Sequence, residues 1–187
     1  MSPARIAVIL LAAGRGERFG GGKLAAMLGD RPVAHHAADM LRTIGFARHI
    51  AVIGPDTPAL PGWSGILLNP PGTPLSRSLA LGVAAADDAD AVLIALADMP
   101  FIGAAHIAAM LRAFDGDRLA SRHAGIAMPP ALFGAGAFPA LRAQAGDRGA
   151  GALLRHAPAI DLPDAAALDI DRPADLALAQ TMCDSTK

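Results

Sequence analysis

Four short apolar runs fall in the first hundred residues: IAVILLAA at 6–13, HIAVIG at 49–54, GILLN at 65–69 and DAVLIALA at 90–97. None alternates polar with apolar residues, so strands built from them must be covered on both faces. Between and beyond them lie longer stretches with helical spacing: PVAHHAADMLRTIG at 32–45, LSRSLALGVAAADDA at 75–89 and GAAHIAAMLRAF at 103–114. Pro32 suits the first turn of the first stretch, and Gly45 its end. Strand–helix–strand alternation of this kind predicts an α/β fold, a three-layer sandwich with a mostly parallel sheet. The 187 residues suit one domain, which would bury about 70% of its unfolded surface. Aromatics make up only 4% of a chain that is 53% hydrophobic. An alanine-rich interior of that kind favours helices packed closely on a sheet over an aromatic-filled β-sandwich.

After Phe114 the pattern loosens. Residues 118–141 are rich in Gly, Pro and Ala, with two or three short extended pieces. GDRGAGALLRHA (146–157) is expected to start a helix and RPADLALAQTM (172–182) to form the last one. The formal net charge is -1, which argues against a nucleic-acid groove or an anionic membrane surface as partner. Cys183 is the only cysteine, excluding an internal disulfide or a cysteine-built metal site. No run approaches the ~18 apolar residues of a membrane span. A signal peptide cut after Ala13 would discard the first core strand, so the expectation is a soluble, cytoplasmic protein.

The first strand leads into LAAGRGERFGGGKL (11–24), where Gly14, Gly16, Gly20, Gly21 and Gly22 are interleaved with Arg15, Arg18 and Lys23. Glycine loses the most freedom on folding, so such a run is either a disordered loop or a place where backbone amides approach a ligand. Three cations make that ligand an anion. The phosphate-binding pattern G-x-x-x-x-G-K-S/T fails twice, with Glu17 at the first glycine and Leu24 at the Ser/Thr position. The dinucleotide fingerprint G-x-G-x-x-G meets Phe19 at its third glycine. The chain has 14 arginines but only two lysines, Lys23 and Lys187. An ammonium is a compact charge on a flexible stem, so Lys23 is a candidate for phosphate oxygens; the alternative is a solvated charge in a loop.

Glu17 is the only glutamate, which leaves acid–base or metal chemistry mainly to aspartate. Asp98 follows the run DAVLIALA, at the carboxyl end where open α/β sheets bind ligands. A hard carboxylate there suits Mg²⁺, while the alternative is a turn-forming aspartate bonded to its own backbone. Asp171, before Arg172-Pro173, can cap the final helix. His35 and His36 are badly spaced for joint metal binding and are expected on a helix surface.

These residues carry a resemblance. LAAGRGERFGGGKL is similar to the signature L-A-A-G-x-S/G-x-R-M/F-G-x-x-K-L of nucleotidyltransferases with the Rossmann-like nucleotide-diphospho-sugar transferase fold. ALADMPFI (95–102) resembles the L-G-D-M-P stretch of the molybdenum cofactor cytidylyltransferase and molybdopterin guanylyltransferase branch. FGAGAFPALRAQAGDRGAGALLRHAP (133–158) and DIDRPADL (169–176) resemble G-D-x-G-A-R/G-x-L-L and D-I/V-D-T/R-P-x-D-L. The four blocks stand in order along nearly the whole chain.

The resemblance implies a reaction in which an acceptor phosphate attacks the α-phosphate of an NTP and pyrophosphate leaves. It implies a nucleotide-binding half at 1–100 and an acceptor-side half at 101–187. Lys23, Arg18 and Asp98 would be catalytic. Leu11, Ala12, Ala13, Gly14, Arg15, Gly16, Lys23, Asn69, Ser76 and Ser78 would bind the nucleotide. Asp98 and Asp171 would hold Mg²⁺. Amides from Gly14 to Gly22 would cradle the phosphates. The implied partners are an NTP, CTP favoured over GTP because Ala13 stands where the guanylyltransferase branch has Gly, and a phosphorylated small molecule, molybdopterin in that branch.

Two stretches depart from the pattern. In NPPGTPLSRSLALG (69–82), Pro74, Leu75 and Arg77 replace the usual Gly, Met and Ser, while Ser76, Ser78, Leu79 and Gly82 match. Ala127-Met128-Pro129 stands where the cytidylyltransferase branch has G-H-P, leaving Arg122 or His123 as substitutes for the missing histidine. Other readings are a sugar-phosphate nucleotidyltransferase, a dinucleotide-binding oxidoreductase and a non-catalytic nucleotide-binding regulator.

Overall fold

The seven residues of β1 (Ile6–Ala12) are all buried, and they sort by parity onto the two faces of one sheet. Ile6, Val8, Leu10 and Ala12 join one core, and Ala7, Ile9 and Leu11 join the other. Side chains alternate across a strand, so a continuous apolar run is what a doubly covered central strand requires. The computed structural model describes residues 2–146 and 149–185.

The other strands are β2 (Met27–Leu28), β3 (Arg31–Pro32), β4 (Arg48–Ile53), β5 (Ser64–Leu67), β6 (Ala91–Leu96), β7 (Arg118–His123), β8 (Ile126–Gly134) and β9 (Ala159–Asp161). Seven of them form one sheet in the order β5-β4-β1-β6-β8-β7-β9. Only β8 runs against the rest, pairing antiparallel with both β6 and β7. The pairings β1–β4, β1–β6, β4–β5 and β7–β9 are parallel. The helices are α1 (Val33–Arg42), α2 (Leu75–Ala85), α3 (Ala104–Ala113), α4 (Phe138–Arg142), α5 (Gly151–Leu154), α6 (Asp164–Ala167) and α7 (Pro173–Asp184).

Helix α1 buries Val33, Ala34, Ala37, Ala38 and Leu41, the i, i+3, i+4 stripe of an amphipathic helix. It shares the even-numbered core of β1 with Ile107 and Met110 of α3 and Ala179 of α7. On the opposite face, Leu79 and Val83 of α2 pack with Phe138 and Leu141 of α4. Gly82 is what lets α2 sit this close: a Cβ there would stand 2.5 Å from Ile9 Cγ2. The expected three-layer α/β sandwich is the fold observed.

Several boundaries differ from expectation. Helix α1 starts one residue later, with Pro32 as its N-cap, and ends before Gly45. The hairpin β2–β3 interrupts what read as loop, turning at Gly29 with φ 62°. The helix expected over 146–157 shrinks to α5, and Asp147 and Arg148 of that block lie outside the described residues. Edge strand β9 lies in a segment to which the sequence pattern assigns no element. In β7 the pairing register shifts between Ala120 and Ser121. There the Ser121 hydroxyl, wholly buried, donates to Pro130 O at 2.7 Å and meets His106 Nε2 at 2.8 Å. With its one hydroxyl proton on Pro130, Ser121 accepts from the histidine; the pair braces the bulge.

Candidate active site

The parallel strands β4, β1 and β6 all end at the same sheet edge, with Ala12 opposite Ile53 and Leu11 opposite Leu96. That register brings the glycine loop and Asp98 side by side, two residues past the end of β6. Ala97 N donates to Leu11 O at 3.1 Å, fastening the two strand exits together. A second fastener comes from far along the chain: Ile170 N donates to Asp98 O at 2.9 Å. It draws the segment 169–171 over the site.

Within the loop, Gly16 adopts φ 60°, and its carbonyl accepts three amides, from Phe19 at 2.9 Å, Gly20 at 3.1 Å and Gly21 at 3.0 Å. Those three N–H groups are therefore spent inside the loop. This corrects the expectation that the amides from Gly14 through Gly22 face a phosphate. The amides of Gly14, Arg15 and Gly16 have no partner among the described residues. Gly20, Gly21 and Gly22 carry φ of 94°, 95° and 65°, a left-handed turn open to glycine. The turn folds Lys23 back against Gly16: a Cβ on Gly16 would lie 3.2 Å from Lys23 Cγ.

Lys23 is not a solvated loop charge. Its side chain is 8% exposed, and Nζ donates to Asp98 Oδ2 at 2.6 Å and to Asp171 Oδ1 at 2.9 Å. Arg18 Nη1 takes the other oxygen of Asp171 at 2.8 Å. Burial pulls the Lys23 ammonium down, but the charges and hydrogen bonds of Asp98 and Asp171 outweigh it and hold it above its ordinary value. The hydrogen bond from Lys23, against some burial and with the Arg18 charge, keeps the Asp171 carboxyl below the usual range. Asp169 is pushed up, first by burial and then by its like-charged neighbours Asp98 and Asp171.

Asp171 does not cap α7. Arg172 is the N-cap residue, and the Asp175 carboxylate accepts the backbone N–H of both Asp171 (3.0 Å) and Arg172 (2.6 Å). The carboxylate of Asp171 is thereby left for Lys23 and Arg18. Nor does Asp98 turn back on its own backbone. Its Oδ1 is shielded from solvent and has no hydrogen-bond partner. A carboxylate oxygen in that state is expensive.

Leu11, Ala13, Gly14, Arg15, Ser78 and Asp98 line one cleft, together with Glu17, Gly72, Thr73, Leu75 and Leu96. It measures about 500 Å³, the size of an ordinary small-ligand site. Lys23 lines an adjoining hollow with Gly54, Asp56 and Thr57. The remaining expected residues stand back from both. Ala12 is core, and its carbonyl accepts the Thr57 hydroxyl at 2.6 Å. Asn69 is exposed, and Ser76 is buried with its N–H on Gly146 O at 3.2 Å. Arg15 spans the cleft mouth, donating to Glu17 Oε1 at 3.1 Å and Pro71 O at 3.4 Å. Its guanidinium lies over Gly72, where a Cβ would overlap it.

Thr57 and Thr73 were not singled out from sequence. Thr57 also accepts Gly54 N at 2.9 Å, the local hydroxyl-to-backbone turn its place after Pro55-Asp56 permits.

The cluster can accept a divalent cation. Among the described residues no three His, Cys, Asp or Glu side chains converge as a metal cage. Two aspartates with one unpaired buried oxygen instead fit a hard cation that completes its shell with phosphate oxygens and water, the habit of Mg²⁺.

Beyond Leu11, Leu75 and Leu96 the cleft continues into an apolar chamber lined by Leu79, Met128, Phe133 and Leu154. Arg122 is tied to Asp161 at 2.8 Å, and His123 Nδ1 lies 3.7 Å from Asp164; neither lines the chamber. His35 and His36 bind separate carbonyls, of Ala59 and Leu28, each at 2.9 Å.

The lysine–aspartate cluster sits at the carboxyl edge of a mostly parallel sheet, and the sequence places the chain in the NTP transferase class. The chain belongs to the family of the MobA-like NTP transferase domain, whose model matches residues 8–162. A comparison with curated proteins gives no significant match. Among solved structures, a homologue of Mycobacterium tuberculosis Rv0371c from Mycobacterium sp. strain JC1 superposes with TM-score 0.86 at 23% identity, covering 98% of this chain and 99% of that one. Rv0371c from M. tuberculosis H37Rv in complex with manganese gives 0.80 at 21%, covering 95% and 98%. The molybdopterin-guanine dinucleotide biosynthesis protein A of Archaeoglobus fulgidus gives 0.68 at 18%, covering 96% and 99%. At these identities the likeness is one of fold.

Proposed function

We propose that this chain transfers a nucleotidyl group from an NTP, CTP in preference to GTP, to a phosphorylated small molecule, molybdopterin being the leading acceptor. The observation that carries the reading is the buried Lys23 bridging Asp98 and Asp171 at 2.6 and 2.9 Å, with Asp98 Oδ1 unpaired beside the cleft.

In this reaction an acceptor phosphate oxygen forms a bond to the α-phosphorus, the α–β anhydride bond breaks, and pyrophosphate leaves. No protein nucleophile is needed; charge neutralisation and alignment supply the rate. Asp98 and Asp171 would hold the cation, Mg²⁺ in this reading, which neutralises phosphate charge and orients the phosphates when bound. The manganese complex of the mycobacterial neighbour supports a divalent metal. Lys23, released from the carboxylates, turns its ammonium on the triphosphate. Arg15 and Arg18 add charge along the leaving pyrophosphate, and the amides of Gly14, Arg15 and Gly16 point donors at phosphate oxygens. Leu11, Ala13 and Ser78 line the base end of the cleft. The segment 101–187 supplies the acceptor wall through Met128, Phe133 and Leu154.

The test is pyrophosphate release from CTP and GTP with molybdopterin and with a panel of sugar phosphates. Release that needs CTP and molybdopterin together supports the reading. Release with sugar phosphates alone replaces the acceptor.

A further inference from the structure

The apolar chamber beyond Leu11, Leu75 and Leu96 has a lining unlike that of the cleft it adjoins. Among the described residues, no side chain on its walls ends in nitrogen or oxygen. Leu79, Ile94, Ala131, Phe133 and Leu154 make most of the surface. The backbone adds little polarity. Pro129 lines the chamber and has no N–H to donate. The carbonyls of Leu11, Ala150 and Leu154 already accept the amides of Ala97, Leu153 and Ala157, at 3.1, 2.9 and 3.0 Å. Leu75 reaches across to the far wall: a Cβ on Gly149 would lie 2.9 Å from its Cδ2.

A chamber of this kind selects by what it cannot pair. It measures about 220 Å³. An apolar cavity of about 150 Å³ holds benzene, so this one suits a single ring or a branched chain of similar bulk. A hydroxyl carried into it loses its water and gains no partner, which costs roughly 5- to 100-fold in affinity. Hydrocarbon surface gains by the same transfer. Leu11 and Leu96 line the cleft together with Asp98 as well as the chamber. An acceptor whose phosphate lies beside Asp98 therefore meets the chamber with its body.

Resting on the nucleotidyltransferase reading, we propose that the acceptor is a phosphate monoester whose phosphate-bearing portion is compact and poor in hydroxyls, and that this chamber excludes polyhydroxylated sugar phosphates.

In the experiment the protein is first saturated with Mg²⁺ and a CTP analogue carrying a methylene between its α- and β-phosphates, which fills the nucleotide site without reacting. Calorimetry then compares inorganic phosphate, benzyl phosphate and glucose 1-phosphate as probes. Benzyl phosphate should bind at least ~10-fold more tightly than inorganic phosphate, and glucose 1-phosphate no more tightly than inorganic phosphate. Leu75→Asn puts an amide into the chamber and should bring benzyl phosphate to within about threefold of inorganic phosphate. Leu75→Met keeps the wall apolar and should keep the wild-type preference. Both variants are checked for melting temperature and for affinity toward the CTP analogue, and the expected loss is confined to benzyl phosphate. Glucose 1-phosphate binding as tightly as benzyl phosphate overturns the proposal, as does benzyl phosphate binding no more tightly than inorganic phosphate. A folded Leu75→Asn with the wild-type preference also overturns it, because the ring then lies outside the chamber. If Leu75→Asn does not fold, the wild-type comparison decides alone. A wild type that binds no CTP analogue would instead refute the nucleotidyltransferase reading itself.

Discussion

Replacing Lys23 by methionine removes the cation between Asp98 and Asp171 and leaves a side chain of similar reach. In the nucleotide-free protein, Lys23 occupies one oxygen of each carboxylate at 2.6 and 2.9 Å, and Arg18 occupies the second oxygen of Asp171. A divalent cation binding without nucleotide must displace that ammonium or bind beside its charge. A single and a double positive charge at about 4 Å repel by about 8 kcal/mol at an effective dielectric near 20. The Asp98 and Asp171 side chains are 18% and 36% exposed, so screening reduces that to ~1.4–2.8 kcal/mol, or 10- to 100-fold in affinity. Lys23→Met should therefore bind Mn²⁺ 10- to 100-fold more tightly than wild type without nucleotide, read as free Mn²⁺ by electron paramagnetic resonance. Wild type should gain most of its Mn²⁺ affinity only when CTP is added. Turnover of the variant should fall by ~10²-fold or more, as on losing one preorganised charge. Equal Mn²⁺ affinity in the two nucleotide-free proteins would refute the competition.

In the proposed reaction, Ala13→Gly removes a methyl from the wall of the base slot. It should shift competition between CTP and GTP toward GTP by about 10-fold or more, since one methyl group is typically worth ~1–3 kcal/mol of discrimination; an unchanged ratio would show that Ala13 does not select the base. Gly82→Ala would place a Cβ 2.5 Å from Ile9 Cγ2. It should destabilise the fold by about 1–3 kcal/mol in urea melts, and wild-type stability would mean that α2 can lift off the sheet freely. Burial holds His106 below its ordinary value of 6.5. As the pH drops below 6.5 the unfolded chain takes up that proton before the native one, so stability present above 6.5 should be lost as the pH falls toward the lowered native value. His106→Gln should flatten part of that slope, with His49, also held low by burial, carrying the rest.

The sheet was legible because its signal is local. Uninterrupted apolar runs such as 6–13 read as strands, and β1, β4, β5 and β6 fall within two residues of where the pattern places them; the expected double cover fails at edge strand β5, where Leu67 is 60% exposed. Asp98 and Lys23 were legible for a related reason. A carboxylate at a strand's carboxyl end and a rare lysine in a glycine loop are conspicuous in sequence. The geometry joining them was not. Lys23 meets Asp171 across 148 positions, an encounter that depends on the backbone bond from Ile170 to Asp98. Three loop amides turn inward onto Gly16 because of one left-handed φ, which composition does not reveal. The hairpin β2–β3 escaped because two-residue strands carry no periodicity. Asp171 read equally well as a helix cap until Asp175 was seen to hold that place.

In the proposed reaction Asp98 and Asp171 form the divalent-cation centre of a nucleotidyl transfer. Pyrophosphate release from CTP and molybdopterin, measured against Mg²⁺ concentration for wild type and Asp98→Asn, tests it most directly. Release should require all three components and be removed in Asp98→Asn, whose far-ultraviolet circular dichroism should stay that of wild type. An Asp98→Asn protein that turns over at near-wild-type rates at low Mg²⁺ would contradict it.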